Sequence, residues 1–460
     1  MYTLNFDEKI TVHFMGIGGI SMSGLAEILL SEGFTVQGSD MSESDIVKAL
    51  IAKGAKVYIG QKKENITSNI DLVVYTAAIR EDNEEFQAAK EAGIPMLTRA
   101  ELLGQIMDFY KYSIAVAGTH GKTTTTSLLS HIFMEAEKDP TISIGGILDL
   151  IGGNIRVGKS PYFITEACEY TNSYHSFKPY ISIILNIDND HLDFFKNIEN
   201  IIESFRVFAT KLKPEGILII NGDMDFTERV TEGLERRVIT FGMKDGNTYQ
   251  AKDITLNALG HPSYDLYKEG KYVTNVSLSV TGIHNAVNSL SAIAAADILG
   301  VDMNSILEGL KKCSSAKRRF EYKGTLPNGI TVVDDYAHHP TEIAATLTVA
   351  KEIAKGDVWV AFQPHTYSRT AALLPDFAKA LSIADHIMLA DIYAAREKDN
   401  GTISSMDIEK LLRDEGKDCV YLGAFSEIEK YFLKNSKEND LLITMGAGNI
   451  VNLGENLLKE

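Results

Sequence analysis

Ile114-Ala-Val-Ala-Gly118-Thr119-His120-Gly121-Lys122-Thr123-Thr124-Thr125 opens on an apolar run, turns on two glycines and continues into a helical stretch. A strand, glycine turn and helix in that order form a phosphate-binding unit. The first N–H groups of a helix lack internal partners, and the helix dipole favours negative charge there. The Lys122 ammonium can reach the β- and γ-phosphates of a nucleotide, and the Thr123 hydroxyl can take a Mg2+ position. Val116 stands where the strict Walker spacing asks for a leading glycine. Such a unit belongs between parallel strands, so the turn also points to an α/β fold.

Working outward, the N-terminal residues alternate β-like runs (Ile10–Met15, Thr35–Gly38, Lys56–Ile59, Leu72–Tyr75) with helical stretches (Met22–Glu32, Asp45–Lys53, Asn83–Ala92), a βαβ pattern. A second glycine turn, His13-Phe-Met-Gly16-Ile-Gly18-Gly19-Ile-Ser21-Met-Ser23-Gly24, follows the first of these strands. A dinucleotide fingerprint wants a third glycine where Ser21 stands and an acid ending the second strand, which Asp40 supplies. The turn indicates a diphosphate-carrying ligand and does not separate a nicotinamide dinucleotide from a UDP-sugar. Beyond the phosphate loop, buried strands are expected at Tyr162–Ile164, Ile181–Asn186 and Gly216–Ile220, and a small antiparallel insertion between Asp245 and Val280. Helical periodicity returns at His284–Leu299 and Met303–Lys311. A third βαβ series has strands at Ile330–Asp334, Val358–Phe362, His386–Leu389, Cys419–Tyr421 and Asp440–Thr444. The expected domains are 1–105, Rossmann-like; 106–318, a P-loop-like α/β unit; and 319–460, again Rossmann-like.

Size and composition agree with three domains: 460 residues at roughly 150 per domain. The composition, 45% hydrophobic and 23% charged, is that of a folded protein. A formal charge of −17 argues against nucleic-acid or anionic-membrane partners, so a polyanionic ligand must be met by a local site. Cys168, Cys313 and Cys419 are scattered, without a disulfide framework, which fits a reducing cytoplasm. The apolar runs are too short to span a bilayer, and Met1–Ile10 lacks the layout of a signal peptide, so no membrane insertion or export is expected.

Glu166 ends one strand of the middle unit and His191 follows the next, so both side chains emerge at the carboxyl edge of a parallel sheet, beside the phosphate loop. With the Thr123 hydroxyl they can hold Mg2+, although a histidine on a hard ion is unusual. By themselves Glu169 and Asp190 read as solvated or capping carboxylates, Asn285 and Asn288 as capping residues sharing a helix face, Arg318-Arg319 as a surface charge pair, and Cys168 as a small packing residue.

The phosphate loop resembles that of the Mur ligase family, ATP-dependent amide-bond-forming enzymes of peptidoglycan precursor synthesis. Further segments match in order: Glu166-Ala-Cys-Glu169, Asn186-Ile-Asp-Asn-Asp190-His191, His284-Asn285-Ala-Val-Asn288, Arg318-Arg319-Phe320, Asp334-Asp335-Tyr336-Ala-His338-His339-Pro340-Thr-Glu342 and Phe362-Gln-Pro-His365-Thr-Tyr-Ser-Arg369. The glycine turn and the Asp-Asp-Tyr-Ala-His-His-Pro segment are most similar to the members that join L-alanine to the lactyl carboxylate of UDP-N-acetylmuramate. The resemblance implies ATP and Mg2+ as cofactors, with Gly118, Thr119, His120, Gly121, Lys122, Thr123 and Thr124 on the phosphates. It implies Asn285 and Asn288 on adenine, Asp335 on the ribose, and Arg319 on the transferred phosphate. Thr123, Glu166 and His191 would hold the metal; Lys122, Glu166, His191 and Arg319 would form the catalytic set. Gly16, Gly18, Gly19, Ser21, Ser23 and Asp40 would bind the UDP-sugar, and Tyr336, His338 and Arg369 would face L-alanine. Asp190 would support the metal site.

Two positions depart from the family pattern. Thr366 stands where many members have arginine, and Arg206 where several carry a lysine modified to a carbamate, so no carbamate bridge is expected. The resemblance leaves a monomer and a homodimer both open. Competing readings are a recycling ligase that attaches a tripeptide to UDP-N-acetylmuramate, an NAD(P)-dependent oxidoreductase built on the first glycine turn, and a P-loop switch or motor.

Overall fold

Short runs rich in Val and Ile form strands buried on both faces, as the parallel packing of a helix-covered sheet requires. The computed structural model describes residues 2–459 apart from 77, 258, 314, 315, 396 and 400. Among these residues there are three sheets. The first contains β1 (Thr11–Met15), β2 (Thr35–Asp40), β3 (Lys56–Ile59), β4 (Leu72–Tyr75) and β5 (Met96–Thr98), all parallel in the order β3-β2-β1-β4-β5. The order reverses at β1, so the glycine turn after it opens into the crevice where ligands of such sheets collect.

The second sheet contains β6 (Tyr112–Ala117), β7 (Thr141–Leu148), β8 (Gly153–Arg156), β9 (Tyr162–Glu166), β10 (Ile181–Ile184), β11 (Ile217–Asn221), β12 (Arg237–Gly242), β13 (Tyr249–Leu256), β14 (Pro262–Lys268) and β15 (Lys271–Ser277). Its order is β15-β14-β13-β12-β11-β10-β6-β9-β7-β8, with β6 between parallel neighbours β10 and β9. The phosphate loop therefore leaves the middle of the sheet, with the ends of β9 and β10 on either side. The segment read as an insertion is the antiparallel meander β13-β14-β15, and parallel pairing of β13 with β12 makes it part of the same sheet. The hairpin β7-β8 was not expected from the sequence, because Gly145-Gly146 interrupts any apolar pattern.

The third sheet contains β16 (Glu321–Thr325), β17 (Thr331–Asp335), β18 (Val358–Phe362), β19 (His386–Ala390), β20 (Asp418–Gly423) and β21 (Leu441–Met445) in the order β16-β17-β21-β18-β19-β20, with β16 an antiparallel edge. One apolar cluster runs from Leu25, Leu72 and Ile106 under the first sheet to Phe163, Phe205 and Leu218 of the second. The third sheet has its own clusters, around Leu347 and Phe377 on one face and Trp359 and Phe432 on the other. Among the described residues no helix is long and apolar enough to cross a membrane.

Candidate active site

Gly121 begins the helix Lys122–Glu135 at φ 83°, a backbone state that penalises any residue with a Cβ, and such a Cβ would stand 2.6 Å from Asn288 Nδ2. The loop is laced to Asn186 at the end of β10: the His120 N–H donates to Asn186 Oδ1 (2.8 Å), and Asn186 Nδ2 donates to the His120 carbonyl (3.0 Å). Lys122 Nζ donates to Glu169 Oε2 (2.9 Å) and to the carbonyls of Gly118 and Thr119. Glu169 is 2% exposed, so its reading as a solvated or capping carboxylate is corrected. The turn after β9 carries it under the phosphate loop, where only an ion pair makes burial of the charge tolerable. Burial alone would lower the Lys122 pKa, but the charge of Glu169 reverses this and holds it above the ordinary lysine value. Cys168 is exposed, not packed.

Glu166 ends β9 as expected, and its Oε1 accepts the Gly145 N–H (2.7 Å). A Cβ at Gly145 would lie 2.9 Å from Glu166 Oε2, and one at Gly146 3.4 Å from Thr123 Cγ2, so this glycine pair threads between the acid and the threonine. His191 lies beyond Glu169, its Nε2 3.8 Å from Glu169 Oε1 and its ring 4.6 Å from that of Tyr170. A hydroxyl and a carboxylate are donors that a hard divalent cation takes, and Thr123 and Glu166 offer them on either side of this glycine pair, while His191 contacts Glu169 and Asp190.

A cavity of about 430 Å³ lies between the second and third domains, lined by Gly121, Thr123, Asn285, Asn288, Arg319 and Asp335 among others. Asn285 Nδ2 donates to the Thr281 carbonyl (2.7 Å), while its Oδ1 is buried without a partner, an unmet acceptor suited to an exocyclic amino group. Asp335 accepts the N–H groups of Phe320 (2.8 Å) and Ala337 (2.7 Å), one on each oxygen, and burial raises its pKa to about 6. The two arginines separate. Both guanidinium groups lie over the Tyr336 ring, but Arg319 lines the cavity, whereas Arg318 donates to Asp334 (2.8 Å) and to the carbonyls of Gly446 and Gly448, bracing the third domain.

His120 spans the two domains. Its Nε2–H donates to Asp188 (3.2 Å), and Nδ1 lies 3.3 Å from Glu342 of the third domain. Burial alone would lower its pKa, but these two carboxylates raise it to about 9, and the hydrogen bond from His120 holds Asp188 well below the ordinary range. His120, Asp188 and His339 place potential ligand atoms within 4.8 Å of one another, yet a protonated His120 has no lone pair to give an ion; the cluster ties domains together. A folded pKa above the unfolded value contributes stability in full below about pH 6.5, and that contribution is lost as pH rises to about 9. The wild-type thermal midpoint should therefore fall more steeply than that of His120→Gln between those pH values; parallel curves would contradict the ion pairing.

A further cavity of about 680 Å³ is lined by His191, Tyr336, His365, Thr366, Arg369 and Glu397 among others. Arg369 donates to Asp190 through Nε (3.2 Å) and an Nη atom (2.9 Å), and its other Nη lies 3.1 Å from His365 Nδ1. Thr366, at φ 67°, caps the following helix by accepting the Arg369 N–H. His338 is not among the lining residues: its Nδ1–H donates to the Tyr336 carbonyl (3.0 Å), and burial lowers its pKa to about 4, so it is neutral. His365 and Glu397 carry no local sequence signal that separates them from a core histidine and a surface acid.

In the first domain, the N–H groups of Gly16 and Ile17 donate to the Ser39 carbonyl, and the Gly18 N–H donates to Asp40 Oδ2 (2.8 Å). Asp40 thus braces the turn. Gly19 precedes the helix Ile20–Ser31, Ser21 is exposed on its first turn, and Ser23 is buried with its hydroxyl donating to the Ile20 carbonyl. The helix is seated against β8, where Asn154 donates to the Ile20 carbonyl and Ile155 fills the space beside Gly24.

Three family models match consecutive parts of the chain: "Mur ligase family, catalytic domain" at residues 11–111, "Mur ligase middle domain" at 116–296 and "Mur ligase, glutamate ligase domain" at 318–448. A UDP-N-acetylmuramate–L-alanine ligase of Agathobacter rectalis is 57% identical over 460 residues, covering 100% of both chains. One from Lachnospira eligens is 56% identical with the same coverage. Among solved structures, the UDP-N-acetylmuramate–alanine ligase of Thermotoga maritima matches with a TM-score of 0.80 at 30% identity, covering 98% of each chain. A murein peptide ligase of Psychrobacter arcticus shares the fold, with a TM-score of 0.70 at 24% identity over 98% of each chain. With the three sheets, the phosphate loop at the centre of the second and these full-length matches in agreement, the chain belongs to the Mur ligase family.

Proposed function

We infer that this chain joins L-alanine to UDP-N-acetylmuramate in an ATP-dependent, ADP-forming reaction, a step in making peptidoglycan precursors. The observation that carries the reading is the full-length identity to ligases of that name, well above the identity to the peptide ligase that shares the fold.

Amide formation from a carboxylate needs a better leaving group than hydroxide. Attack of the lactyl carboxylate on the γ-phosphorus of ATP supplies one as an acyl phosphate, and the alanine amine then displaces phosphate. Lys122, with its charge held by Glu169, and Arg319, which lines the nucleotide cavity, put positive charge where negative charge develops. Thr123, Glu166 and His191 would hold Mg2+, which when bound would neutralise further phosphate charge. Asn285 and Asn288 would take the adenine, Asp335 the ribose, the turn from Gly16 to Ser23 the UDP-sugar diphosphate, and Arg369 with Tyr336 the amino acid. The first two domains share an apolar core, whereas the contacts of the third with residues 188–190 are polar. Movement therefore belongs to the third domain, and its docking excludes water from the acyl phosphate. ATP and a sugar nucleotide place the reaction in the cytoplasm.

The test is ADP release with UDP-N-acetylmuramate and each amino acid in turn, beside the tripeptide L-alanyl-γ-D-glutamyl-meso-diaminopimelate. L-Alanine is expected to give the highest kcat/KM. Preference for the tripeptide would assign the chain to recycling, and nucleotide turnover without either acceptor would favour a switch or motor.

A further inference from the structure

Three side chains of the third domain converge on three consecutive residues of the second. Thr341 Oγ1 donates to Asp188 Oδ2 (2.6 Å), His339 Nε2 donates to the Asn189 carbonyl (2.8 Å), and Arg369 donates to Asp190 Oδ1 (2.9 Å). Asp188 is held again by His120, itself paired with Glu342. The next residue is His191, with its backbone in the left-handed region at φ 52°, ψ 39°, where a side chain is disfavoured. The helix that follows, Leu192–Phe195, has only four residues and is too short to impose that conformation alone. The His191 ring rests against Tyr170 and Glu169 of the second domain, while its N–H donates to Asp190 Oδ1 (2.7 Å), the same atom that Arg369 of the third domain holds.

We propose that Thr341, His339 and Arg369 are positioning residues that set His191 for the divalent cation, so that the cation site of the second domain is completed only when the third domain is docked. The proposal rests on the reading of His191 as a metal ligand. Its consequence is that cation affinity depends on side chains that ligate no cation. An outer contact that fixes a ligand's orientation typically contributes about 10-fold or more to metal affinity.

Thr341→Val tests this, since it removes the hydroxyl while keeping the shape of a residue at an exposed helix start. Mn2+ serves as a paramagnetic probe, its binding to the enzyme–ADP complex read by electron paramagnetic resonance. Thr341→Val should weaken Mn2+ about 10-fold, and Thr341→Ser should restore it. Because Thr341 also lines the nucleotide cavity, ADP affinity is measured in chelator, where Thr341→Val should match wild type within about twofold. A thermal midpoint that moves with no change in Mn2+ affinity would reduce Thr341 to a structural contact and overturn the proposal. Wild-type Mn2+ affinity in Thr341→Val, with affinity lost in His191→Ala, would overturn the positioning role alone. Wild-type Mn2+ affinity in His191→Ala would overturn the ligand assignment on which it rests.

Discussion

Lys122→Ala should lower kcat by about 10³-fold and, separately, destabilise the protein by about 3–5 kcal/mol. The first effect follows from removing a fixed positive charge where the transferred phosphoryl group must lie. The second follows from what the substitution leaves behind, a Glu169 carboxylate 2% exposed whose strongest partner is gone. A double-mutant cycle separates them. Lys122→Ala combined with Glu169→Gln should recover most of the lost stability, because a neutral amide no longer needs a counter-charge, and should recover none of the activity. The checks are the thermal midpoint and L-alanine-dependent ADP release on the same preparations. Near-wild-type ADP release in Lys122→Ala would remove the phosphate loop from the reaction, and a double variant no more stable than the single one would show that Glu169 does not depend on Lys122.

Arg369→Ala should lower kcat/KM for L-alanine by about 100-fold while leaving KM for ATP within about twofold. A guanidinium can present two parallel N–H donors to a carboxylate, and each charge-assisted bond contributes about 1.5–3 kcal/mol where water is excluded. Arg369 is already aimed: Asp190 holds Nε and one Nη on one side, and His365 faces the other Nη. Position 366 holds a threonine whose hydroxyl is committed to capping a helix, so Arg369 carries the recognition without a second guanidinium from that position. Arg369→Lys should not rescue, because an ammonium on a flexible stem cannot reproduce the planar fork. Equal KM values for L-alanine in wild type and Arg369→Ala would move carboxylate recognition elsewhere in the cavity.

Both predictions depend on residues whose importance was unevenly visible beforehand. Lys122 and Thr123 stand out because a glycine turn leading into a helix has one dominant chemical use, written within a dozen consecutive residues. Glu166 and His191 were expected to meet at one edge because residues ending parallel strands do so; Glu166 ends β9 against the Gly145 N–H, whereas His191 lies well past the end of β10, against Glu169 and Tyr170. Glu169 was misread because burial is not a local property. The same Glu-Ala-Cys-Glu text describes a solvated acid or a buried one, and only the fold brings Lys122 Nζ within 2.9 Å of it. The arginine pair shows the same limit. Arg318 and Arg319 are indistinguishable as neighbours in sequence, yet one reaches into its own domain and the other into the cavity, a choice fixed by left-handed backbone at Arg318 and Phe320.

What the sequence determined by itself was the α/β class, a three-part organisation, the phosphate loop and the family, because each rests on short-range periodicity or on motifs whose spacing is fixed along the chain. What only the tertiary structure decided was which charges meet: Lys122 with Glu169, His120 with Asp188 and Glu342, Arg369 with Asp190. Those pairs join residues 47 to 222 positions apart. Their strength comes from the exclusion of water between them, and that exclusion exists only when the folded domains close around the charges.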